Sequence, residues 1–168
     1  EGSVMNWKQP KVYAVKHKDE ATRVASRSGG IFTALSDQVL SNGGVVYGCV
    51  LTDKFDAVHI RADNEKDRNR MRGSKYIQSK LGDTFKSVKA DLDAQNSVLF
   101  SGTSCQVAGL KKYLGKEYDN LFCVDIVCHG VPSKKVWNAY LRWQKQKNHS
   151  EIASVDFRNK KDFGWQDH

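Results

Sequence analysis

Residues 98–110 constrain the fold of this chain most strongly, because a short apolar run passes there through a turn of small residues into a helix. Residues 98–100 are typical of a buried strand, and the apolar positions that follow at helical spacing are Val107, Leu110 and Leu114. Cys105 stands at the junction, where a helix start has unpaired backbone N–H groups and a partial positive charge. Such a position can bind a phosphate or activate a thiol.

A second strand of this kind follows the helix. Residues 121–127 form an apolar run that ends in Cys128, His129 and Gly130. In open α/β sheets, ligands bind outside the carboxyl ends of the strands. Two clusters of reactive residue types at the ends of successive strands therefore predict a cofactor-binding edge, although they do not identify the cofactor.

Strand-like and helix-like segments alternate along most of the chain. The segments typical of strands are residues 12–15, 45–52, 58–62, 98–100, 121–127 and 152–157. Apolar residues at helical spacing predict helices that start near Ile31, Phe85, Cys105 and Ser133. The charged segment 64–72, which ends at Gly73, predicts a further short helix that starts near Asn64. This alternation predicts the α/β class, with a mostly parallel or mixed sheet and helices packed on it.

Two of these helices carry more specific expectations. The first has an apolar face made of Ile31, Phe32, Leu35, Val39 and Leu40, and it ends at the Asn42-Gly43-Gly44 turn. The last and longest helix follows Pro132, with Ser133 as a suitable N-cap. Its expected inward face consists of Val136, Trp137, Tyr140 and Leu141.

Length and charge narrow the class of protein. The 168 residues fit one domain with a real core, so we expect a single α/β domain over residues 1–168. No apolar run approaches the roughly 18 residues of a membrane span, and residues 1–10 show no signal-peptide pattern. We therefore expect a cytoplasmic protein. The formal net charge of +8 favours an anionic partner, namely a phosphorylated cofactor, an acidic protein or nucleic acid.

The four cysteines favour free thiols in a reducing compartment over structural disulfides. Cys49 and Cys123 lie inside apolar strand-like runs, where buried free thiols are common. No two cysteines form a CxxC pair, so we assign no metal ligands and expect no self-contained zinc or ferredoxin-type cluster.

Two further segments could contact a ligand. Ser28, Gly29 and Gly30 precede a helix, and such small residues let a backbone approach a phosphate or a ring; Arg27 could add a charge-assisted hydrogen bond. An ordinary glycine turn explains the same residues. Residues 72–79 combine hydrogen-bond donors with an aromatic ring, and Lys75 could pair with a phosphate or a reduced ring. A solvated turn before an edge strand is the simpler alternative there.

Cys105 and His129 leave several alternatives open. Cys105 could be a thiolate nucleophile with His129 as its base, a ligand of an iron–sulfur cluster completed elsewhere, a small side chain beside a cofactor, or an inert thiol. His129 could bond a cofactor ring or phosphate or donate a proton near neutral pH, although a lone histidine is more often structural.

The segment between Asp125 and Glu151 has no acidic residue and includes five basic ones, together with Trp137 and Trp143. This combination could bind nucleic acid. We favour a solvated helix face with a buried tryptophan, or a docking face for an acidic redox partner such as ferredoxin.

Four motifs occur in a fixed order along the chain. They are residues 28–35, residues 72–79, residues 99–110, and residues 127–132 followed by Trp137. With residues 155–160 and Gly164-Trp165, the series resembles that of the coenzyme F-420 hydrogenase/dehydrogenase beta-subunit family over nearly the whole chain. One residue departs from the family pattern, because Ser104 stands where a Gly-Thr-Pro-Cys motif has proline. Serine at this position can still cap the helix.

The resemblance implies an FAD-binding iron–sulfur flavoprotein that passes electrons between clusters and flavin, and to or from an organic acceptor. It also implies that residues 1–168 are the flavin-binding domain of a longer protein. In bacterial members a ferredoxin-like segment precedes this region and a cysteine-rich segment follows it, so the [4Fe-4S] clusters are expected there and not in residues 1–168. The implied partners are a ferredoxin-like domain or another redox partner and a small-molecule acceptor.

Mapped onto this chain, the resemblance places one cofactor site over the four motifs. The residues expected to bind FAD are Ser28, Gly29, Gly30, Lys75, Gln78, Ser79, Thr103, Cys105, Gln106, His129 and Gly130. The expected catalytic residues are Cys105, His129 and Lys75.

Three function classes remain distinguishable by experiment. The first is a flavin-dependent oxidoreductase domain, which the resemblance favours. The second is a transferase or hydrolase that uses Cys105 as nucleophile and His129 as base. The third is a basic nucleic-acid-binding module, which would show salt-dependent binding to DNA or RNA.

Overall fold

One mixed β-sheet organises residues 10–157, the part of the chain that this computed structural model describes. Its strands are β1 (Val45–Leu51), β2 (Ala57–Ala62), β3 (Val98–Thr103) and β4 (Leu121–Ile126). They lie in the order β2-β1-β3-β4. β3 pairs in parallel with both β1 and β4, whereas β2 pairs with β1 in an antiparallel ladder. The expected α/β class with a mixed sheet is therefore confirmed.

Six helices accompany the sheet within residues 10–157. They are α1 (Glu20–Ser26), α2 (Ile31–Ser41), α3 (Glu65–Asn69), α4 (Thr84–Asp93), α5 (Ser104–Leu114) and α6 (Lys134–Asn148). The expected starts near Ile31 and Ser133 are confirmed, and the Ser133 hydroxyl caps α6 by accepting a hydrogen bond from the Val136 amide. Helix α1 is additional, because Val24 is the one larger apolar residue among its seven and one such residue gives no apolar period.

The sheet separates two apolar clusters, because successive side chains of a strand point to opposite faces. Val45 and Val98 lie on the face that α4 and α5 cover, where Phe100 and Leu110 are also fully buried. On the other face, Val46 and Leu99 pack with Val39 of α2. Each such side chain contributes about 1.5–3 kcal/mol when it is fully buried, so these residues hold the strands in register.

Two expected strands are absent from the structure. Residues 12–15 and 152–157 have no ladder partner. Val12 and Tyr13 are 88% and 72% exposed, so this first apolar segment is not buried at all. In the second segment, Val155 and Phe157 pack on the apolar cluster that includes Trp137, and the Phe157 ring contacts the Trp137 ring, so these residues do not join the sheet. The Gly164-Trp165 motif lies outside the described residues.

The expected inward face of α2 is partly wrong. Leu35 is exposed, whereas Thr33 and Ser36 are buried. The cause is Arg68 of α3, which is almost fully buried and donates hydrogen bonds to the Thr33 carbonyl and the Ser36 hydroxyl. Arg68 also pairs with Asp37 at 2.5 Å. A buried guanidinium requires such partners, and it therefore selects a polar helix face.

The expected inward face of α6 is also only partly correct. Trp137 is buried and Leu141 is half-buried, whereas Val136 and Tyr140 are exposed. The Trp137 indole N–H donates to the Phe55 carbonyl at 2.8 Å, which fixes the helix against the β1–β2 connection. Among the helices of residues 10–157, none is long and apolar enough to cross a membrane.

Candidate active site at the ends of β1 and β3

The turn between β3 and α5 is built as a capping box. Thr103 is the N-cap residue; its side chain accepts a hydrogen bond from the backbone N–H of Gln106, and its own N–H donates to Gln106 Oε1 at 3.0 Å. Ser104 is the first residue of α5, so the expectation that Ser104 caps this helix is wrong. A Cβ atom at Gly102 would lie 2.9 Å from Gln106 Oε1. Glycine at position 102 is thus required for this box to close.

Gln106 also connects this turn to the segment that follows β2. Its Nε2 donates to the Ser79 hydroxyl at 2.8 Å. The Gln106 amide oxygen therefore bonds the helix start, while its amide nitrogen bonds Ser79, which lies 27 positions earlier in the chain. The structure therefore brings Ser79, Thr103 and Gln106 together, as the sequence motifs predict for one site.

Lys75 occupies a backbone cage at the end of α3. Its ammonium donates to the carbonyls of Arg70, Met71 and Arg72 at 3.1, 2.9 and 3.2 Å. Burial lowers the pKa of Lys75 to about 8, and the Arg27 guanidinium acts in the same direction, while Cys49 opposes it. Lys75 is therefore a rigidly held cation whose charge is sensitive to pH just above neutrality.

Cys49 on β1 is a further candidate site residue, and it lies outside the four sequence motifs. Burial raises the pKa of its thiol, while the Lys75 ammonium and the Ser79 hydroxyl both favour the thiolate and oppose that rise. Cys49 thus lies beside two predicted site residues. The only sequence signal for it was a cysteine near the carboxyl end of an apolar strand, which is equally typical of an inert core thiol.

His59 on β2 is a second residue of this kind. It is the register partner of Cys49 in the β1–β2 ladder, and it is only 8% exposed. Its Nε2 lies 3.1 Å from the Ser101 carbonyl oxygen, and its ring stacks on Phe100. Burial lowers the pKa of His59, and the nearby Lys75 charge lowers it further. A histidine inside the apolar run 58–62 was the signal that could have identified it.

A group of cations borders the Ser28-Gly29-Gly30 turn. Arg27 follows α1 in a left-handed conformation, and its aliphatic chain lies close to Gly73. Its guanidinium pairs with the Asp156 carboxylate and donates to the Phe157 carbonyl at 3.0 Å. Arg72 donates to the Thr33 hydroxyl at 3.1 Å. Arg27 thus lies near Lys75, whereas the Arg72 side chain reaches from the end of α3 to α2.

The Gly30 turn itself packs tightly against the segment before α1. Gly30 is the N-cap of α2 with φ +80°, and no side chain caps this helix start. A Cβ atom at Gly30 would lie 2.8 Å from His17 Cβ, and the Gly29 carbonyl accepts from the His17 amide. The turn therefore needs glycine for both its backbone conformation and its packing.

Within residues 10–157, no hydrogen bond joins the Cys128–Gly130 segment to Lys75, Ser79 or Gln106. His129 and Gly130 are exposed, and within residues 10–157 no hydrogen bond joins His129 to Cys105. Cys105 is exposed, and its sulfur lies 3.1 Å from the Thr103 hydroxyl oxygen. The loop approaches the second motif through its backbone, because the Gln78 amide donates to the Pro132 carbonyl at 3.3 Å.

The donor set of this site suits an anion or a polar ring better than a metal. Within the described part of the chain, no three His, Cys, Asp or Glu side chains form a group that could hold a metal ion. Guanidinium and ammonium groups are the usual partners of phosphates. The orphaned Nδ1 of His59, a buried nitrogen with no hydrogen-bond partner among residues 10–157, adds a place for one ligand hydrogen bond.

Two sequence profiles of one family match the chain. The profile for the N-terminal part of the coenzyme F420 hydrogenase/dehydrogenase beta subunit matches residues 12–86, and the profile for its C-terminal part matches residues 95–168. The first segment contributes β1 and β2 and the second contributes β3 and β4, so both enter the same sheet. Comparison with curated proteins finds no match.

Among solved structures, the fold is similar to that of a chain in the xenon-derivatised F420-reducing [NiFe] hydrogenase complex from Methanosarcina barkeri. The TM-score is 0.63 and the sequence identity is 18%. The similarity covers 86% of this chain and 53% of the other, so this chain spans about half the length of that relative. At this identity, the likeness supports the fold alone.

Proposed function

This chain belongs to the coenzyme F420 hydrogenase/dehydrogenase beta-subunit family, and we propose that it has an electron-transfer oxidoreductase role, which it performs as an FAD-binding domain. The observation that carries the proposal is that the Lys75 ammonium lies near the Arg27 guanidinium and near Cys49 and Ser79, and that Ser79 is joined by Gln106 to the capped start of α5. A dianionic pyrophosphate next to a polar ring system matches this combination of cations and amide groups.

Arg27 and the turn at the start of α2 would hold the pyrophosphate of the cofactor. Arg27 lies directly before the Ser28-Gly29-Gly30 turn, and the uncapped start of α2 adds backbone N–H groups there. The Asp156 carboxylate already pairs with Arg27, which supports an anion-binding role for this guanidinium. Ser28, Gly29 and Gly30 would let the pyrophosphate approach the backbone closely.

The second part of the site would hold the flavin ring and ribityl chain. Lys75, Gln78 and Ser79 would contact these groups from one side, with Thr103, Cys105 and Gln106 on the other. His129 and Gly130 would then close the site. The carbonyl cage keeps the Lys75 ammonium in one place, so its charge can orient the ring and stabilise negative charge on it. FAD, when bound, supplies the electron- and hydride-transfer chemistry.

The flow of electrons through the whole protein is part of the same proposal. The described residues contain no group that fits an iron–sulfur cluster, so [4Fe-4S] clusters would be held by other segments of a longer protein. A small organic molecule would be the acceptor or donor at the flavin. Residues 1–168 would then be its single flavin-binding domain.

The outer face of α6 would receive an acidic redox partner. Tyr140 and Trp143 are 47% and 49% exposed, and the Lys147 ammonium lies 4.8 Å from the Trp143 ring centroid. Exposed aromatic rings are enriched at protein–protein interfaces. Because no acidic residue occurs between Asp125 and Glu151, this face would attract a negatively charged protein.

The thiols support a reducing location. All four cysteines are free. We place the protein in the cytoplasm on this basis. The cysteine-nucleophile alternative receives less support, because its base would be His129, and no hydrogen bond joins that residue to Cys105 within residues 10–157. Basic residues of α6 do not by themselves favour nucleic acid over an acidic protein.

A fluorescence titration tests the proposal. FAD and riboflavin are added to the full chain, because riboflavin shares the ring and ribityl chain but lacks the pyrophosphate. The proposal requires saturable quenching by the protein, with FAD bound more tightly than riboflavin. Equal affinity for both would remove the phosphate role of the Arg27 turn, and no binding of either would remove the proposed function.

A further inference from the structure

His59 reaches across a neighbouring strand to make its contacts. Its backbone belongs to β2, and β1 lies between β2 and β3 in the sheet. The side chain nevertheless contacts two residues of β3, because Nε2 lies 3.1 Å from the Ser101 carbonyl oxygen and the ring stacks on Phe100 at 5.6 Å between centroids. The imidazole therefore lies over β1, on the face of the sheet that holds Cys49.

These contacts determine which nitrogen carries the proton. A carbonyl oxygen only accepts, so Nε2 must donate to Ser101. Burial lowers the pKa of His59 and favours the neutral ring. In a neutral ring with a proton on Nε2, Nδ1 holds a lone pair and can only accept. That atom is buried and has no hydrogen-bond partner among the described residues.

An unsatisfied buried acceptor is a recurrent sign of a missing partner. Most buried polar atoms of proteins are hydrogen-bonded, because leaving one unpaired is costly. The residues around His59 belong to the candidate site: Cys49 faces it in the ladder, and Lys75 is near enough to lower the pKa of the imidazole. Ser79 in turn acts on the Cys49 thiol and accepts from Gln106. His59 thus lies beside the residues assigned to the flavin ring and ribityl chain.

We propose that His59 is a further ligand-binding residue of this site, and that its Nδ1 accepts a hydrogen bond from an N–H or O–H donor of the flavin portion of FAD. This inference rests on the proposed function. Both the ring imide and the ribityl hydroxyls offer such donors, whereas the pyrophosphate offers none. The His59 ring is locked by Ser101 and Phe100, so the acceptor is oriented before the ligand arrives.

Two substitutions separate the two nitrogen atoms of the ring. His59→Gln can keep a donor near the position of Nε2, and thereby the bond to Ser101, while it removes the Nδ1 acceptor. His59→Asn places an amide near the position of Nδ1 and loses the Nε2 donor. We expect His59→Gln to weaken FAD binding by about 3- to 10-fold, the usual worth of one neutral hydrogen bond. His59→Asn should bind FAD more nearly as the unaltered chain does.

In the unliganded chain, the order of the two variants should be opposite, because the variant that binds FAD more weakly should be the more stable one. His59→Gln should not lower the midpoint of urea unfolding, because it removes an unsatisfied acceptor. His59→Asn should lower it. ADP, which lacks the flavin portion, should bind equally to the unaltered chain and to His59→Gln. If His59 has only a structural role, affinity for FAD should follow unfolding stability, so that His59→Asn binds FAD more weakly than His59→Gln does. Binding of ADP should then weaken by the same factor as binding of FAD.

The unaltered chain provides a test that does not depend on the folding of a variant. The Nδ1 resonance of His59 in ¹⁵N-labelled protein should move when FAD is added and should not move with ADP. If the chain binds FAD while this resonance and the His59→Gln affinity stay unchanged, the inference is wrong and the proposed function stands. If the unaltered chain binds no FAD, both are wrong.

Discussion

Gln106 at the start of α5 donates a hydrogen bond to the Ser79 hydroxyl at 2.8 Å, and this bond between residues 27 positions apart joins two sequence motifs. The opposite end of the same amide accepts from the Thr103 N–H at 3.0 Å. One side chain thus holds the helix start and the post-β2 segment in a fixed relation. Any ligand that spans the two segments depends on this relation.

Gln106→Ala should therefore reduce both stability and FAD affinity. Loss of the capping box and of the Ser79 bond should lower the free energy of unfolding by about 1–3 kcal/mol, as measured by urea denaturation. Ser79→Ala is the matched control, because it removes the cross-connection and leaves the box intact. It should cost less stability. If both variants retain the original affinity for FAD, the two motifs do not form one flavin site.

The pH dependence of FAD binding should follow Lys75. Burial lowers the pKa of this lysine to about 8, so its ammonium is present at neutral pH and is lost as the pH rises through that value. An anionic ligand favours the protonated form, and binding takes up a proton above this pKa. Affinity measured by fluorescence quenching should therefore fall between about pH 7 and pH 9.

Lys75→Met is the control for this prediction. The thioether chain fills similar space and carries no charge. The variant should bind FAD more weakly at neutral pH, and its affinity should change little over the same range. A variant with the same pH profile as the unaltered chain would assign the titration to another group.

Arg27→Gln should weaken binding of FAD more than binding of riboflavin, because only FAD carries the pyrophosphate. Arg27 and Asp156 are each about one-third exposed, so their ion pair adds little to stability, on the order of 0–1 kcal/mol. The thermal midpoint should consequently change little. Asp156→Asn serves as the control, since it removes the competing carboxylate and keeps the guanidinium. It should leave FAD affinity unchanged or raise it, and weaker binding would contradict the assignment.

The four thiols should differ in their reactivity towards iodoacetamide. Cys105 and Cys128 are exposed, whereas burial raises the pKa of Cys49 and of Cys123. We expect the exposed pair to react first in mass spectrometry of the intact chain. Bound FAD should protect Cys105, with Cys105→Ser as the reference. Alkylation of Cys105 that FAD does not slow would place that thiol away from the cofactor.

Much of the fold follows from local sequence. The apolar run 98–100 and the periodic residues after Cys105 identify β3 and α5, because strand and helix periods differ clearly there. Ser133 is recognisable as an N-cap from its residue type and its place before the helix. The end of α2 also follows from the sequence, since the Asn42-Gly43-Gly44 turn ends this helix as expected.

Other features depend on partners that no local pattern contains. The exposed Leu35 and buried Ser36 of α2 reflect the guanidinium of Arg68, which lies 32 residues after Ser36. Residues 152–157 have a strand-like alternation, but Val155 and Phe157 pack on the apolar cluster that includes Trp137 and do not join the sheet. In both cases tertiary contacts override the local pattern.

The candidate site also combines residues that the sequence motifs identify with residues that they do not. Lys75, Ser79, Thr103 and Gln106 belong to motifs and are brought together, whereas Cys49 and His59 come from strand interiors that read as core. Their relevance arises from the β1–β2 register, which pairs them directly. Register is a long-range property, so the sequence pattern alone does not single out these two residues.

The most direct test of the account is the visible absorption spectrum of the chain after incubation with FAD and removal of free cofactor by gel filtration. Flavin bands should elute with the protein in a stoichiometric amount. The variants Lys75→Met and Gln106→Ala should lose most of this absorbance. A protein that elutes colourless, with all added FAD in the small-molecule fraction, would contradict the proposal that this chain is a flavin-binding domain.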